Sequence, residues 1–169
     1  MFVIAATERE LGGRPGFVCG IGPVEAAAST ARFLATSGVD AVLHVGIAGS
    51  RELAPPTVVL GAESVYSDVR AEIPVVRRLE PDRTLFDRVR AALPDAVVAS
   101  IGTSAAVSGG RAEVEAMEGF GVLRACALAG VPAVELRVVS NSPDEPDRSK
   151  WRFEEAFAAL DEAVGRVLS

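Results

Sequence analysis

Short apolar segments alternate with helix-like segments along the whole chain, and this alternation limits the possible folds more than any other feature. Residues 2–6 and 41–45 are apolar runs rich in β-formers, and residues 24–34 between them repeat apolar side chains every three or four positions. The alternation continues to a long amphipathic segment at 151–168. It predicts one α/β domain over residues 1–169, with a central mixed sheet between two layers of helices.

Charged residues and glycines gather at the ends of the predicted strands. Glu8 and Glu10 follow the first strand, so we expect both carboxylates at its exposed mouth. One glycine turn, Gly20 to Gly22, precedes the first long helix, and a second, Gly46 to Gly49, follows the strand at 41–45. Because α/β folds bind ligands beyond the carboxyl ends of strands, these segments predict where the site lies.

The charge balance narrows the range of partners. The 17 basic and 23 acidic residues leave a net charge of −6, which repels nucleic-acid phosphates and anionic lipid, so a small molecule is the expected partner. Cys19, Cys126 and the single His44 are too few for a Cys/His zinc site or a disulfide framework. We therefore expect a reducing, cytoplasmic location, and the first residues become charged too early for a signal peptide.

The first glycine turn and the lone histidine each have two interpretations. Gly20-Ile21-Gly22 resembles part of a dinucleotide-binding loop, but Glu25 occupies the third glycine position of that pattern. The turn otherwise presents backbone N–H groups to a water, hydroxyl or anion, or is a plain tight turn. His44 lies in an apolar strand with no Gly-x-Ser-x-Gly pattern, which favours a hydrogen-bonded core histidine. By residue type alone, Glu10 is a solvated charge rather than a general base.

Two motifs in the second half of the chain point to a family. Glu115 and Glu118 flank Met117 just before an apolar helix, and the helix dipole alone favours Glu118 there. A strand then ends in Arg137-Val138-Val139-Ser140-Asn141. This order resembles the superfamily of nucleoside phosphorylases and nucleosidases. The pattern at 147–151 is most similar to the futalosine hydrolases within it.

The resemblance implies hydrolysis of the N-glycosidic bond of a purine nucleoside, without a metal or an organic cofactor. Glu10 matches the carboxylate that activates the attacking water, and Glu118 matches the one that accepts hydrogen bonds from the ribose hydroxyls. Met117 matches a residue that packs against sugar and base. Asn141 matches the base-reading residue, which is Asp in methylthioadenosine nucleosidases, and its amide suits a 6-oxopurine such as hypoxanthine. Further substrate contacts are implied for Gly22, Ile47, Ala48 and Gly49.

The resemblance indicates less directly which molecule attacks the sugar, water or phosphate, and which aromatic residue stacks on the base. Phosphorylases of the superfamily carry a phosphate-binding arginine at the position of His44, so water is the expected acceptor. Arg51, just beyond the second glycine turn, keeps an anion site open as an alternative. No aromatic residue stands at 104–106, where nucleosidases stack one on the base. Phe120, Tyr66 or a neighbouring subunit are the alternatives for that contact.

The resemblance also implies a shortened family member and leaves other functions open. Few residues separate Glu10 from the first glycine turn, and residues 107–116 stand where relatives have a further helix and strand. We expect a homodimer whose second subunit completes the pocket. The principal interpretation is a futalosine hydrolase of menaquinone biosynthesis. The alternatives are a methylthioadenosine or inosine nucleosidase, a purine nucleoside phosphorylase, and a nucleoside-binding protein without activity.

Overall fold

A computed structural model of the chain describes residues 1–70, 72–107 and 112–169. Residues 108–111, within the expected contraction ahead of Met117, lie outside these ranges. The strands are β1 (Phe2–Ala5), β2 (Phe17–Val18), β3 (Val42–Ser50), β4 (Val58–Tyr66), β5 (Arg78–Leu79), β6 (Val97–Thr103), β7 (Val114–Ala116) and β8 (Ala133–Asn141). The α-helices are α1 (Glu8–Leu11), α2 (Pro23–Ser37), α3 (Arg83–Ala92), α4 (Gly119–Ala129) and α5 (Phe153–Leu168), with a short 3-10 helix at Arg148–Lys150.

The described strands form one mixed sheet that curls onto itself. Strand β3 pairs in parallel with β1 and β8, and its last two residues pair antiparallel with β7. Strand β8 runs antiparallel to β4, which continues in parallel through β6 to β7. Strands β3, β8, β4, β6 and β7 therefore close a ring, while β1 and β2 extend from one side. The ring brings the ends of β3, β7 and β8 together.

Helices cover both faces of the sheet, as the alternation predicted. Leu11 of α1, Val89 of α3 and Leu160 of α5 share a core with Leu43 and Leu136 of the central strands. On the opposite face, α2 and α4 pack over a second core. A third, smaller core fills the interior of the strand ring. The predicted three-layer α/β architecture with a mixed sheet is confirmed.

The second glycine segment is a strand, not the turn that its small residues predicted. Gly46 to Ser50 continue β3, and the pairing with β8 extends as far as Gly49 opposite Asn141. The backbone N–H and C=O groups of this segment bond to neighbouring strands. A prediction that treats glycine as a turn residue uses only the local sequence, so it cannot include those partners. Glycine at position 46 is needed for packing instead, because a Cβ there would overlap the Arg137 guanidinium.

Helices α2 and α4 approach each other closely near the first glycine turn. A Cβ on Gly121 of α4 would lie 2.6 Å from the carbonyl oxygen of Pro23, the first residue of α2. This contact needs glycine, because a backbone carbonyl cannot move aside as a side chain does. It holds the start of α2 against the start of α4, where Glu118 lies. None of the helices in the described ranges is long and apolar enough to cross a bilayer.

Candidate active site

A cavity of about 230 Å³ opens where β1, β3, β7 and β8 end. Seven of the eight residues predicted for the site line it: Glu10, Ile47, Ala48, Gly49, Met117, Glu118 and Asn141. The eighth, Gly22, lies behind the wall, and its N–H donates to Glu118 over 3.1 Å. Residues from both halves of the chain thus meet in one pocket. Its volume suits a small molecule rather than a polymer.

Glu10 is a buried helix residue, which corrects the expectation of an exposed carboxylate at a strand mouth. Its side chain is 7% exposed and belongs to α1, whose N-cap is Thr7. Oε2 accepts hydrogen bonds from the backbone N–H and the hydroxyl of Thr7, both at 3.0 Å, and Oε1 accepts from the N–H of Ile47 at 3.1 Å. The Thr-x-x-Glu spacing of this capping box was visible in the sequence. Three donors fix the carboxylate at the cavity wall.

Glu118 stands at the N-cap position of α4, where its side chain makes no capping hydrogen bond, and it is 5% exposed. Its Oε1 accepts the Gly22 N–H, and its Oε2 lies 3.6 Å from Nη1 of Arg137. Burial raises the pKa of Glu118, while the Arg137 charge and the Gly22 hydrogen bond oppose that rise. Glu10 is close enough to raise it further. The two carboxylates thus share one region of the cavity.

A fully buried arginine lies beneath these carboxylates. Nε of Arg137 donates to Glu135 over 2.8 Å, and Nη2 donates to Nε2 of His44. Nη1 lies against Gly46 beside Glu10 and has no hydrogen-bond partner among the described residues. Arg137 was noted only as part of the motif at 137–141 and was given no role, although an arginine within an apolar strand was a visible signal.

His44 behaves as the core histidine that its apolar surroundings predicted. Its Nδ1 lies 3.0 Å from the carbonyl oxygen of Ile4, while Nε2 accepts from Arg137. These partners require the neutral tautomer with the proton on Nδ1. Burial and the neighbouring Arg137 charge lower the pKa of His44 well below its ordinary value. The ring is therefore a structural acceptor for Arg137 and does not line the cavity.

The cavity wall is acidic. Glu10, Glu115 and Glu118 line it, and the described part of the lining contains no Lys, Arg or His. Arg51, considered above as an anion site, forms ion pairs with Glu115 and Asp144. An anion in this cavity would therefore meet like charges, whereas a neutral ligand that gains positive charge would be stabilised.

Asn141 is the last residue of β8 and lines the cavity. Its Oδ1 accepts the Ser140 hydroxyl at 2.8 Å, and its Nδ2 donates to the Ser142 carbonyl at 3.1 Å. A side-chain amide has two donor hydrogens and two acceptor lone pairs, so it holds these contacts and can still bond a ligand. Its backbone pairs with Gly49 of β3, which lines the same cavity.

The aromatic side chains of the cavity differ from those considered above. Phe120 and Tyr66 stack on each other with ring centroids 5.3 Å apart, and neither lines the cavity. Trp151 and Phe157 do line it. The indole N–H of Trp151 donates to the Glu145 carbonyl over 3.0 Å, which fixes the ring. Phe157, on the amphipathic last helix, lies half-buried at the cavity wall.

Comparison with known sequences agrees with this geometry. The profile of the phosphorylase superfamily matches residues 9–169. The chain is 35% identical over 179 residues to a futalosine hydrolase of Streptomyces coelicolor, covering 88% of this chain and 75% of that protein. It is 32% identical over 187 residues to a futalosine hydrolase of Thermus thermophilus, covering 91% and 82% respectively.

Solved structures show the same fold. A Streptococcus pneumoniae MTA/SAH nucleosidase in complex with 8-aminoadenine superposes with a TM-score of 0.84 at 20% identity, over 99% of both chains. A Helicobacter pylori futalosine hydrolase mutant does so with a TM-score of 0.84 at 18% identity, over 98% of this chain and 96% of the other. The chain belongs to the phosphorylase superfamily. Within that superfamily, it groups with the futalosine hydrolases.

We predict that Arg137→Met destabilises the protein more at pH 8 than at pH 5. Removal of a buried charge partner costs about 3–5 kcal/mol. The pKa of Glu118 is already raised in the folded state, so its contribution to stability falls as the pH rises through that pKa. Loss of Arg137 raises the pKa of Glu118 further, so the variant loses more unfolding free energy at high pH than at low pH. Urea unfolding of both proteins at the two pH values measures this.

A matched control for that comparison is Arg83→Met. Arg83 forms an exposed ion pair with Asp87 on the same helix, and such pairs contribute about 0–1 kcal/mol. Its unfolding free energy should change little at either pH. An Arg137→Met deficit that is the same at pH 5 and pH 8 would show that Arg137 does not balance the Glu118 charge.

Proposed function

We propose that this chain is a nucleosidase that hydrolyses the N-glycosidic bond of a 6-oxopurine nucleoside, with futalosine as its substrate. The convergence of Glu10, Glu118 and Asn141 in one small acidic cavity carries the proposal. The family membership and the two futalosine hydrolase relatives support it. On this proposal the products are hypoxanthine and dehypoxanthine futalosine, and the reaction belongs to menaquinone biosynthesis in the cytoplasm.

Glu10 is the general base of the proposed reaction. The bond between the anomeric carbon and the purine nitrogen breaks with its electron pair going to the base, and the ribose ring gains oxocarbenium character. Water adds to the anomeric carbon and one of its protons passes to Glu10, while the departing purine anion takes up a proton from solvent to become hypoxanthine. The donors from Thr7 and Ile47 hold the carboxylate in one orientation at the wall. Such a positioned base contributes roughly 10²–10⁴-fold to the rate.

Glu118 and Met117 bind the sugar in this proposal. A carboxylate accepts hydrogen bonds from vicinal hydroxyls more strongly than a neutral acceptor. The Gly22 N–H and Arg137 hold Glu118 in place from behind. Because Glu10 and Glu118 also place negative charge beside the sugar, they stabilise the positive charge that develops on it. Met117 supplies an apolar contact with the ribose.

Asn141 binds the departing base. Its amide donates to an acceptor at the ring nitrogen or the carbonyl of a 6-oxopurine, where negative charge builds up as the bond breaks. An amide has no titratable proton, so this assistance is a hydrogen bond rather than proton transfer. This property favours hypoxanthine over adenine as the leaving group.

Water is the acceptor in this proposal, because the cavity does not suit phosphate. Phosphate would face three carboxylates, and the described lining offers it no basic side chain. His44, at the position of the phosphorylases' arginine, is buried beneath the site, and the guanidinium of Arg51 is engaged by Glu115 and Asp144. The geometry therefore favours hydrolysis over phosphorolysis.

The first prediction of this proposal concerns Glu10→Gln. The amide keeps the shape of the buried side chain but removes the base, so release of hypoxanthine from futalosine should fall by at least ~10²-fold. Purified protein in phosphate-free buffer is incubated separately with futalosine, inosine and methylthioadenosine, and the free base is measured by chromatography. Added phosphate should not increase the rate.

Glu8→Gln is the matched control, because Glu8 lies exposed on the same helix. It should retain the wild-type rate. The proposed function fails if the wild-type protein releases no base from any of the three nucleosides, and the role of Glu10 fails if Glu10→Gln retains near-native turnover.

Asn141→Asp tests how the base is read. An ionised carboxylate has no donor and faces the purine carbonyl, so kcat/KM for futalosine should fall roughly 10–100-fold, the value of a hydrogen bond to a group that carries developing charge. Circular dichroism checks the fold of the variant. An unchanged preference among futalosine, inosine and methylthioadenosine would remove Asn141 from base recognition.

We also propose a homodimer. Ile21 and Val107 line the cavity and are 62% and 47% exposed, and Val24, at the start of α2, is 77% exposed. The apolar repeat over 24–34 predicts one buried face, but residues 24, 28 and 31 lie exposed, and Ala26 and Thr30 are buried instead. A second subunit would cover this apolar strip beside the pocket. Size-exclusion chromatography with light scattering should give twice the 17.5 kDa chain mass, and an active monomer would contradict the proposal.

A further inference from the structure

The third carboxylate of the cavity has no role in the mechanism proposed above. Glu115 lies on β7, is 9% exposed and lines the cavity. It forms an ion pair with Arg51, and Nε of Arg51 bonds both oxygens of Asp144 at 3.0 and 3.1 Å. This chain of charges ties β7 to the end of β3 and to the loop after β8. The Glu115 carboxylate is therefore held in a defined position at the wall.

Glu115 and Asn141 flank the same glycine. Gly49 of β3 lies opposite Glu115 on one neighbouring strand and opposite Asn141 on the other. Adjacent strands are about 4.8 Å apart, so the two backbones are at most about 10 Å apart. A Cβ at Gly49 would lie 2.9 Å from Pro143 and 3.3 Å from Nδ2 of Asn141, so glycine lets these two side chains pack closely against β3. Glu115, Gly49 and Asn141 all line the cavity, so a flat bicyclic base bound there can contact both polar side chains.

The other two carboxylates lie elsewhere along the cavity. Glu10 contacts the N–H of Ile47, and Glu118 contacts the N–H of Gly22. Both are near Arg137, whose charge acts on each of them. The acidic wall is thus divided between a sugar end, with Glu10 and Glu118, and a base end, with Glu115 and Asn141.

Purines that differ at position 6 differ in what they offer a carboxylate. A 6-oxopurine carries a hydrogen on ring nitrogen N1, beside the carbonyl, whereas a 6-aminopurine has a lone pair on N1. A carboxylate only accepts hydrogen bonds and has about four acceptor positions, so it can hold several donors at once. At N1 it accepts the hydrogen of the 6-oxopurine and repels the lone pair of the 6-aminopurine, and a buried polar pair that fails to match costs more than a missing contact.

We infer that Glu115 is a specificity-determining residue that accepts a hydrogen bond from N1–H of the 6-oxopurine and rejects the 6-aminopurine. This inference rests on the proposed nucleosidase function, and it adds a second reader of the base to Asn141. Arg51 acts as a positioning residue, because it holds the Glu115 carboxylate through their ion pair.

Glu115→Gln tests the inference, because the amide both donates and accepts and so suits either ring. The kcat/KM for futalosine should fall roughly 10–100-fold, the value of a hydrogen bond to a charged group. The kcat/KM for the 6-amino analogue of futalosine should rise, because the amide N–H can donate to the N1 lone pair that the carboxylate repels, so the preference ratio falls by about tenfold or more. Glu113→Gln, an exposed neighbour, should leave both values unchanged. Equal losses for the two substrates, or no loss for either, would overturn the inference.

Binding of free bases separates this inference from the proposed function. By calorimetry, wild-type protein should bind hypoxanthine at least about tenfold more tightly than adenine or 1-methylhypoxanthine, which lacks the N1 hydrogen. Glu115→Gln should lose that preference. Should the wild-type protein release no base, the proposed activity fails while the binding ratios still decide the role of Glu115. If Glu115→Gln does not fold, the wild-type comparison of hypoxanthine with 1-methylhypoxanthine decides it. Equal affinities, or no binding of any base, would overturn the inference.

Discussion

The ion-pair cluster around Arg137 connects the packing of this protein to its cavity. A charged guanidinium without solvent contact is tolerated only where partners surround it, and here Glu135, Glu118 and His44 come from three separate elements. Strand β8 therefore has to lie beside β3, with α4 beginning directly above the guanidinium. Two glycines permit the approach, since a Cβ at Gly46 would meet Arg137 and a Cβ at Gly119 would meet Glu135.

The distribution of charge over the site follows from that cluster. Arg137 provides positive charge behind the wall, while the cavity surface presents carboxylates. Carboxylates held so close together favour a ligand that becomes positive during reaction, and they disfavour an anionic acceptor. Arg137 thus connects stability to the proposed chemistry. It balances the buried charge of Glu118, and it also lies behind Glu10, the proposed general base.

The sequence analysis was accurate where the signal is local and repeated. Alternating strand and helix patterns predicted the three-layer α/β fold, and the order of the motifs indicated the family; both are confirmed. It was wrong where a neighbour in space decides the outcome. Gly46 to Ser50 reads as a turn but pairs as strand, because β8 and β7 lie alongside. Glu10 was predicted to be exposed but is buried, because its carboxylate accepts a hydrogen bond from the N–H of Ile47 on β3.

The sequence by itself determined the alternation of strands and helices, the class of fold, the family and eight candidate site residues, because periodicity and motifs are properties of neighbouring residues. Tertiary structure alone decided which side chains meet. It placed Trp151 and Phe157, rather than Tyr66 and Phe120, at the cavity, and it set Glu115 opposite Asn141 across Gly49. Strand register and ring closure join residues far apart in the chain, and no local pattern encodes those pairings.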